Sequence, residues 1–308
     1  MITTEITKLQ YDIYGLLAER RLKDAFGKLA LLVNELQDWV SRDKLNEMET
    51  SYRYMIQYML DGVEDPERKS IYDHLVLSAY VLTDRVSDRL AGQVSPSQYY
   101  GWKRYASASR TDISLSSQFD VCDNEINDLS LALLLSEQEQ DFSKIQSLKH
   151  RIEDTAGNLF MDIWTNYPAA EDDYRSLREA LFTDRFPDTF VSLLLSAVLL
   201  NLLHRFDEQK LLILLDGYRH SSPEIQMRSL CCALIVMYIY RERLPLLKSL
   251  RNRLDALYEE PKFKTDVRNI FLQFINISYK NDFYVITFFQ FLNYSKYLFY
   301  INPVTYPF

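Results

Sequence analysis

Residues 189–203 (TFVSLLLSAVLLNLL) are apolar on nearly every face, and no charge follows until Arg205. A helix so uniformly apolar is buried on most sides, in a protein core or in a bilayer. The run falls short of the roughly 20 residues that span a bilayer, so it reads as core. A second run, 230–240 (LCCALIVMYIY), and a third, 267–277, follow it. Pro187, Pro223 and Pro261 precede the three runs at spacings of 36 and 38 residues. Val191, Met227 and Val267 hold matching places within them, followed by Ser192, Arg228 and Arg268. The prolines suit helix openings, because the first turn has no use for the N–H they lack.

Between the runs lie amphipathic stretches at 208–218 and 246–258. The first carries Leu211, Leu212, Leu214 and Leu215; the second carries Leu247, Leu250, Leu254 and Leu257. Two helices per period of about 34–47 residues is the pattern of an α-solenoid, in which antiparallel helix pairs bury their apolar sides against neighbouring pairs. EIQMRSLCCAL (224–234) and DVRNIFLQF (266–274) resemble the first helix of a HEAT repeat, with Arg228 and Arg268 after the apolar position; Ser192 stands there in the first unit.

The N-terminal part carries further amphipathic helices. Residues 5–20 and 22–38 read as a hairpin broken near Arg20–Arg21, with Leu22, Ala25, Phe26, Leu29, Leu32, Val33 and Leu36 in one stripe. LAERRLKDAF (17–26) resembles the inter-helix part of a tetratricopeptide repeat, with Ala25 at the small crossing position. A helix over 43–60 ends at Asp61–Gly62, and Asp65–Pro66 opens another running to about Ala91. With SYRYMIQYML and DPERKSIYDHL, the first hundred residues resemble the N-terminal part of larger bacterial helical-repeat proteins of unassigned function. The fold expected is all-α, tetratricopeptide-like at the start and HEAT-like from about 186. Seven glycines and nine prolines are too few for many strand-linking turns.

This reading divides the chain into a helical-repeat segment at 1–92, a polar loop or hinge at 93–117 with room for one short helix between Pro96 and Ala108, and a second repeat segment at 118–278. In the second segment, helices are expected over 124–136, 142–166 and 172–182. Residues 279–308 change character, with twelve Tyr or Phe and three charged residues, Lys280, Asp282 and Lys296. Three readings of this tail stay open: a last repeat helix with a tail, a truncated or frame-shifted end, and a membrane-contacting segment. Gln290, Asn293 and Lys296 interrupt the apolar run that a transmembrane segment would need.

A net charge of −8 and a pI near 5.2 argue against general nucleic-acid binding, which needs a basic face to displace counterions. Cys122, Cys231 and Cys232 lack framework spacing and read as free thiols in a reducing compartment. The N-terminus has neither the basic start nor the apolar run of a signal peptide, which makes the cytoplasm the expected location.

Signatures of chemistry are absent: no glycine-rich phosphate loop, no CxxC, no HExxH, no GxSxG. His74, His150, His204 and His220 stand apart, with no second ligand at metal spacing. His204 and His220 read as cations at helix C-termini, Glu171–Asp172–Asp173 as carboxylates at a helix start, and Asp120, Asp123 and Glu125 as capping or solvated groups. Neither cofactor nor metal is expected, and the chain is not expected to be an enzyme. The partner-binding candidates are Tyr99, Tyr100, Trp102, Lys103, Arg104, Tyr105 and Arg110. Aromatics interleaved with cations anchor a segment, serve as a protein-contact hot spot, or stack on bases. The leading expectation is a non-catalytic scaffold that binds a protein or peptide in a concave helical groove. The alternative is a nucleic-acid-associated module using 99–110.

Overall fold

The computed structural model describes residues 1–109, 114–135 and 141–278. Regular structure among these residues is helical throughout, and no described helix is long and apolar enough to cross a membrane. The aromatic tail and Arg110 lie outside the described residues. The chain divides into two compact units, Met1–Lys210 and Leu211–Phe308.

The first unit opens with α1 (Thr3–Ala18), α2 (Leu22–Leu36), α3 (Trp39–Leu60) and α4 (Arg68–Val94). α4 packs against all three of the others. Its stripe of Leu75, Val76, Ala79, Leu82, Val86 and Leu90 is buried throughout, and so are Leu22, Ala25, Phe26, Leu29, Leu32 and Val33 of α2. The break expected at Arg20–Arg21 is there, with Arg20 in the left-handed region at φ 61. Gly62, at φ +75, follows the end of α3 as the sequence implies. α4 starts later than Asp65–Pro66 imply, at Arg68 with Glu67 in the N-cap position, and Asp65 Oδ1 accepts the Glu67 N–H at 2.8 Å in the turn ahead of it.

The stretch expected as a polar loop or hinge is helical over α5 (Gln98–Ser109), close to the short helix allowed between Pro96 and Ala108. Ser95 ends α4 in an extended conformation, and Ser97 Oγ accepts the Tyr100 N–H at 3.5 Å in the first turn of α5. The serine-rich composition hides the anchors that hold this helix, because Tyr99 and Tyr100 are both buried against Ala91.

Beyond it come α6 (Leu115–Leu135), α7 (Asp141–Thr165), α8 (Glu171–Phe182), α9 (Asp188–His204) and α10 (Glu208–Asp216), the last of which crosses the unit boundary. α6 packs on α7, α8 on α9, α6 on α8, and α7 on α9 and α5. Glu171, Asp172 and Asp173 do occupy the first turn of α8, where Asp173 accepts the Ala170 N–H at 3.0 Å. Of the three acidic groups of α6 expected to cap or to be solvated, Asp120 is 59% exposed and paired at the surface, whereas Asp123 and Glu125 are ion-paired and more deeply placed. Arg185 reaches Asp120 at 2.6 Å and Asp123 at 2.8 Å, while buried Glu125 accepts from Arg151 at 3.1 Å and Thr155 at 2.7 Å. Pro187 caps α9, whose Phe190, Val191, Leu194, Leu195, Ala197, Val198 and Leu202 are buried as the apolar run demands.

In the second unit a 3-10 turn (Gly217–Arg219) leads to α11 (Pro223–Ile239); a second 3-10 turn (Leu244–Leu246) leads to α12 (Lys248–Tyr258) and α13 (Pro261–Ser278). α13 packs on both α11 and α12, and Leu250, Leu254 and Leu257 are buried. Ser229 satisfies its buried hydroxyl by donating to the Leu214 carbonyl at 2.7 Å. Cys122 and Cys232 are buried free thiols, and Cys231 is half-buried.

Replacing Leu194, fully buried in α9, by alanine should cost about 2–5 kcal/mol of unfolding free energy. Leu31→Ala on α2, at a site 57% exposed, should stay within about 0.5 kcal/mol. Urea titrations of both variants measure the difference, and equal midpoints would contradict the core assigned to α9.

Candidate functional site

α4 carries two carboxylates one turn apart, Asp84 and Asp88, and both are buried. A buried carboxylate is costly unless it is paired and hydrogen-bonded. For Asp88 the pairing comes from two other helices. Tyr100 donates its hydroxyl at 3.0 Å and Lys103 its ammonium at 2.6 Å, both from α5. From the end of α9, His204 Nε2 lies 3.8 Å away, and Arg205 Nε, just past the helix, lies 3.7 Å away. Asp84 accepts from Tyr14 of α1, which itself accepts from Gln10.

The same groups tie the cluster to the turn between α7 and α8. Lys103 donates to the Tyr167 carbonyl at 2.5 Å, and Trp102 Nε1 to Asp162 of α7 at 3.2 Å. Arg205 donates to the Tyr100 hydroxyl at 3.2 Å. The His204 ring lies on Tyr99 with centroids 3.8 Å apart, and Trp164 meets Tyr99 edge-on at 5.7 Å. Next to this lies Lys210, fully buried, whose ammonium donates to the Asn166 carbonyl and, at 2.8 Å, to Asn201 Oδ1. Asn201 in turn donates to the Trp164 carbonyl at 2.7 Å. Tyr174 completes the region by donating to Asp207 at 2.8 Å.

Electrostatics fix the protonation states. Burial pushes the Asp88 carboxyl up, but His204, Lys103 and Arg205 together outweigh burial and hold it below the ordinary carboxylate range. Burial lowers the His204 imidazole, Asp88 pulls it back in part, and Arg205 and Lys103 push it down again, so the net shift is downward. Burial raises the Tyr99 and Tyr100 phenols. Burial brings the Lys210 ammonium down to about 8 against the opposing pull of Asp207 and Asp173. At neutral pH the cluster therefore holds an ionised Asp88, a neutral His204 and un-ionised tyrosines.

The candidate residues of this segment fall on different sides of α5. Tyr99 and Tyr100 face the interior, and Lys103 is spent on Asp88. Arg104 donates to the Gly92 and Ser95 carbonyls at 2.8 and 3.0 Å, which satisfies the C-terminal end of α4. Trp102 is half-buried, and Tyr105, 59% exposed, packs on it at 5.4 Å. The sequence reading missed Asp84, Asp88, Arg205 and Lys210. The first two left a visible signal, since two carboxylates four residues apart interrupt an otherwise apolar stripe. His204 does sit at a helix end, but burial leaves it neutral, so it is no cation for the helix dipole. His220 is buried, with Nδ1 accepting the Ser222 N–H at 3.0 Å.

Among the described residues no group of His, Cys, Asp and Glu is placed to hold a metal ion. Comparison with protein-family models, with curated proteins and with solved structures finds no match.

Lys103→Met leaves the buried Asp88 carboxylate short of a cation and should destabilise the fold by about 3 kcal/mol, the lower end for breaking a buried pair. Adding Asp88→Asn should restore part of the loss in a double-mutant cycle. The pH dependence has a definite sign. With its folded-state value lowered, His204 makes the unfolded chain bind more protons, so its contribution is present above the ordinary value of about 6.5 and is lost as pH falls below it. Asp88, also lowered, contributes above its ordinary value of 3.8 and loses that contribution only at more acid pH. Thermal melts from pH 7.5 to 5 should show a falling midpoint in the parent chain and a flatter profile in His204→Gln.

Proposed function

We propose that the chain is a non-catalytic scaffold of helical-repeat type that binds a protein or peptide in a groove lined by its helix pairs. The observation that carries this reading is the packing order of α6 to α9. The first helices of two successive pairs, α6 and α8, pack on each other, and so do the second helices, α7 and α9. Stacking like on like from pair to pair is how tetratricopeptide and HEAT repeats build extended binding surfaces. In the second unit, α11 and α13 are again packed two helices apart.

The Asp88 cluster supports the same reading by what its groups are occupied with. The raised phenols are poor acids and poor nucleophiles, and the lowered Lys210 amine is held on two oxygens in the interior. These groups join α1, α4, α5, α7 and α9. The scaffold reading therefore assigns 99–105 mainly to anchoring, with exposed Tyr105 left for contact. A cytoplasmic location belongs to the same proposal and rests on the free thiols.

The test is capture by the tagged full chain from native lysate, with and without nuclease, followed by mass spectrometry. A stoichiometric protein partner that survives moderate salt is the expected result. Nucleic acid recovered in the untreated arm and lost at high salt would overturn the reading in favour of the nucleic-acid module. Lys103→Ala does not separate the two, because it breaks the Asp88 pair; the nuclease and salt arms of the capture do.

A further inference from the structure

α5 rests on α4 and α7, and the side chains it buries are Tyr99 and Tyr100. Its polar ties are Tyr100 and Lys103 to Asp88, Lys103 to the Tyr167 carbonyl, and Trp102 to Asp162, with Arg104 on the Gly92 and Ser95 carbonyls. His204 of α9 is wedged into this attachment. Its ring lies on Tyr99 with centroids 3.8 Å apart and meets Tyr100 edge-on at 5.4 Å, and its Nε2 is 3.1 Å from the Tyr100 hydroxyl.

The hydrogen bonds fix where the protons sit. The Tyr100 hydroxyl has one proton and three polar neighbours. Ionised Asp88 can only accept and Arg205 can only donate, so the hydroxyl gives its proton to Asp88 and accepts from Arg205. His204 Nε2 then donates to the same oxygen. The neutral ring therefore carries its proton on Nε2 and its lone pair on Nδ1. The side chain is 27% exposed, which gives a second proton a way in from solvent.

The charged groups facing the ring are Asp88 from α4, Lys103 from α5 and Arg205 beyond α9, while Tyr99 and Tyr100 face it un-ionised. Asp84 and Asp162, the other carboxylates of the region, are occupied by Tyr14 and Trp102. With a neutral ring, one carboxylate answers two cations; a second proton on the ring makes three. Arg205 adjoins His204 in the chain and stays beside it. Lys103 is freer to leave, because its side chain is 28% exposed and belongs to a lightly attached helix. His204 Nε2 is already 3.8 Å from Asp88 Oδ1, so the charged ring takes over from lysine with little movement. Asp88 stays paired in both arrangements, which keeps the second one accessible.

We propose that Asp88, His204 and Lys103 form an acid-operated latch, in which protonation of His204 transfers Asp88 from lysine to histidine and loosens α5 from α4. Loosening uncovers Tyr99 and Tyr100, two of the residues that the sequence marks for contact. The latch goes beyond the scaffold reading and does not depend on it, since no partner takes part. Acid drives the change because opening returns the ring to solvent, where it binds a proton more tightly than in the closed form.

Hydrogen exchange of the full chain, followed by mass spectrometry at pH 7.5 and 5.5 and corrected for intrinsic rates, reads the latch. Protection over 98–109 should fall at least fivefold at pH 5.5, beyond any change in α2, which contributes no group to the latch. His204→Gln keeps a donor toward Tyr100 but takes up no proton, and its α5 protection should be the same at both pH values. In Lys103→Met the protonated ring supplies the charge that Asp88 lacks, so acid should no longer loosen α5. Histidine nitrogen shifts of the parent at pH 7.5 should place the His204 proton on Nε2. No loss over 98–109, an equal loss in α2, or the parent's loss repeated in either variant would overturn the proposal. So would a proton found on Nδ1, because the exchange of partners at Asp88 starts from the other tautomer.

Discussion

Asp88 cannot be buried alone, and the helices around it are arranged to answer its charge. A carboxylate in a helical interior draws in cations and hydroxyls from whichever elements reach it, and here these come from α5 and the end of α9. That demand explains the course of the chain after α4. α5 turns back so that Tyr100 and Lys103 face α4, while Arg104 closes the carbonyls at the α4 terminus. Lys103 then reaches the Tyr167 carbonyl, and this connects α4 and α5 to the turn between α7 and α8. The same interactions explain why a serine-rich stretch is helical, since its two interior tyrosines and one lysine outweigh its composition.

The sequence carried the apolar framework well. The stripes of α2 and α4, the uniformly apolar α9 and the proline-opened α11 and α13 are where periodicity and helix-opening chemistry place them. Some helix ends were harder to locate, because left-handed positions at Gln37 and Asp184 carry no glycine to mark them. The Asp88 cluster was less legible still. Its members lie at 14, 84, 88, 99–103, 167 and 204–205, and no period relates those positions. His204 shows the physical reason for the misreading. A helix end alone favours a charged imidazole, but the interior supplied by α4 and α5 reverses the balance, and neither contribution can be weighed from a local window.

The two units hold their helices by different means. In the first, apolar stripes are supplemented by buried polar groups that fix which helix meets which. Lys210 satisfies a carbonyl in the turn before α8, and Asn201 satisfies two around the same turn. In the second, the buried Ser229 hydroxyl bonds the Leu214 carbonyl, but ion pairs such as Arg219 to Glu260 and Arg253 to Asp216 lie nearer the surface. Links of the second kind contribute little each, so leucine packing carries most of that unit. A buried network is different in kind, because a wrong pairing leaves a charge unsatisfied. The first unit therefore has specificity built into its interior as well as stability.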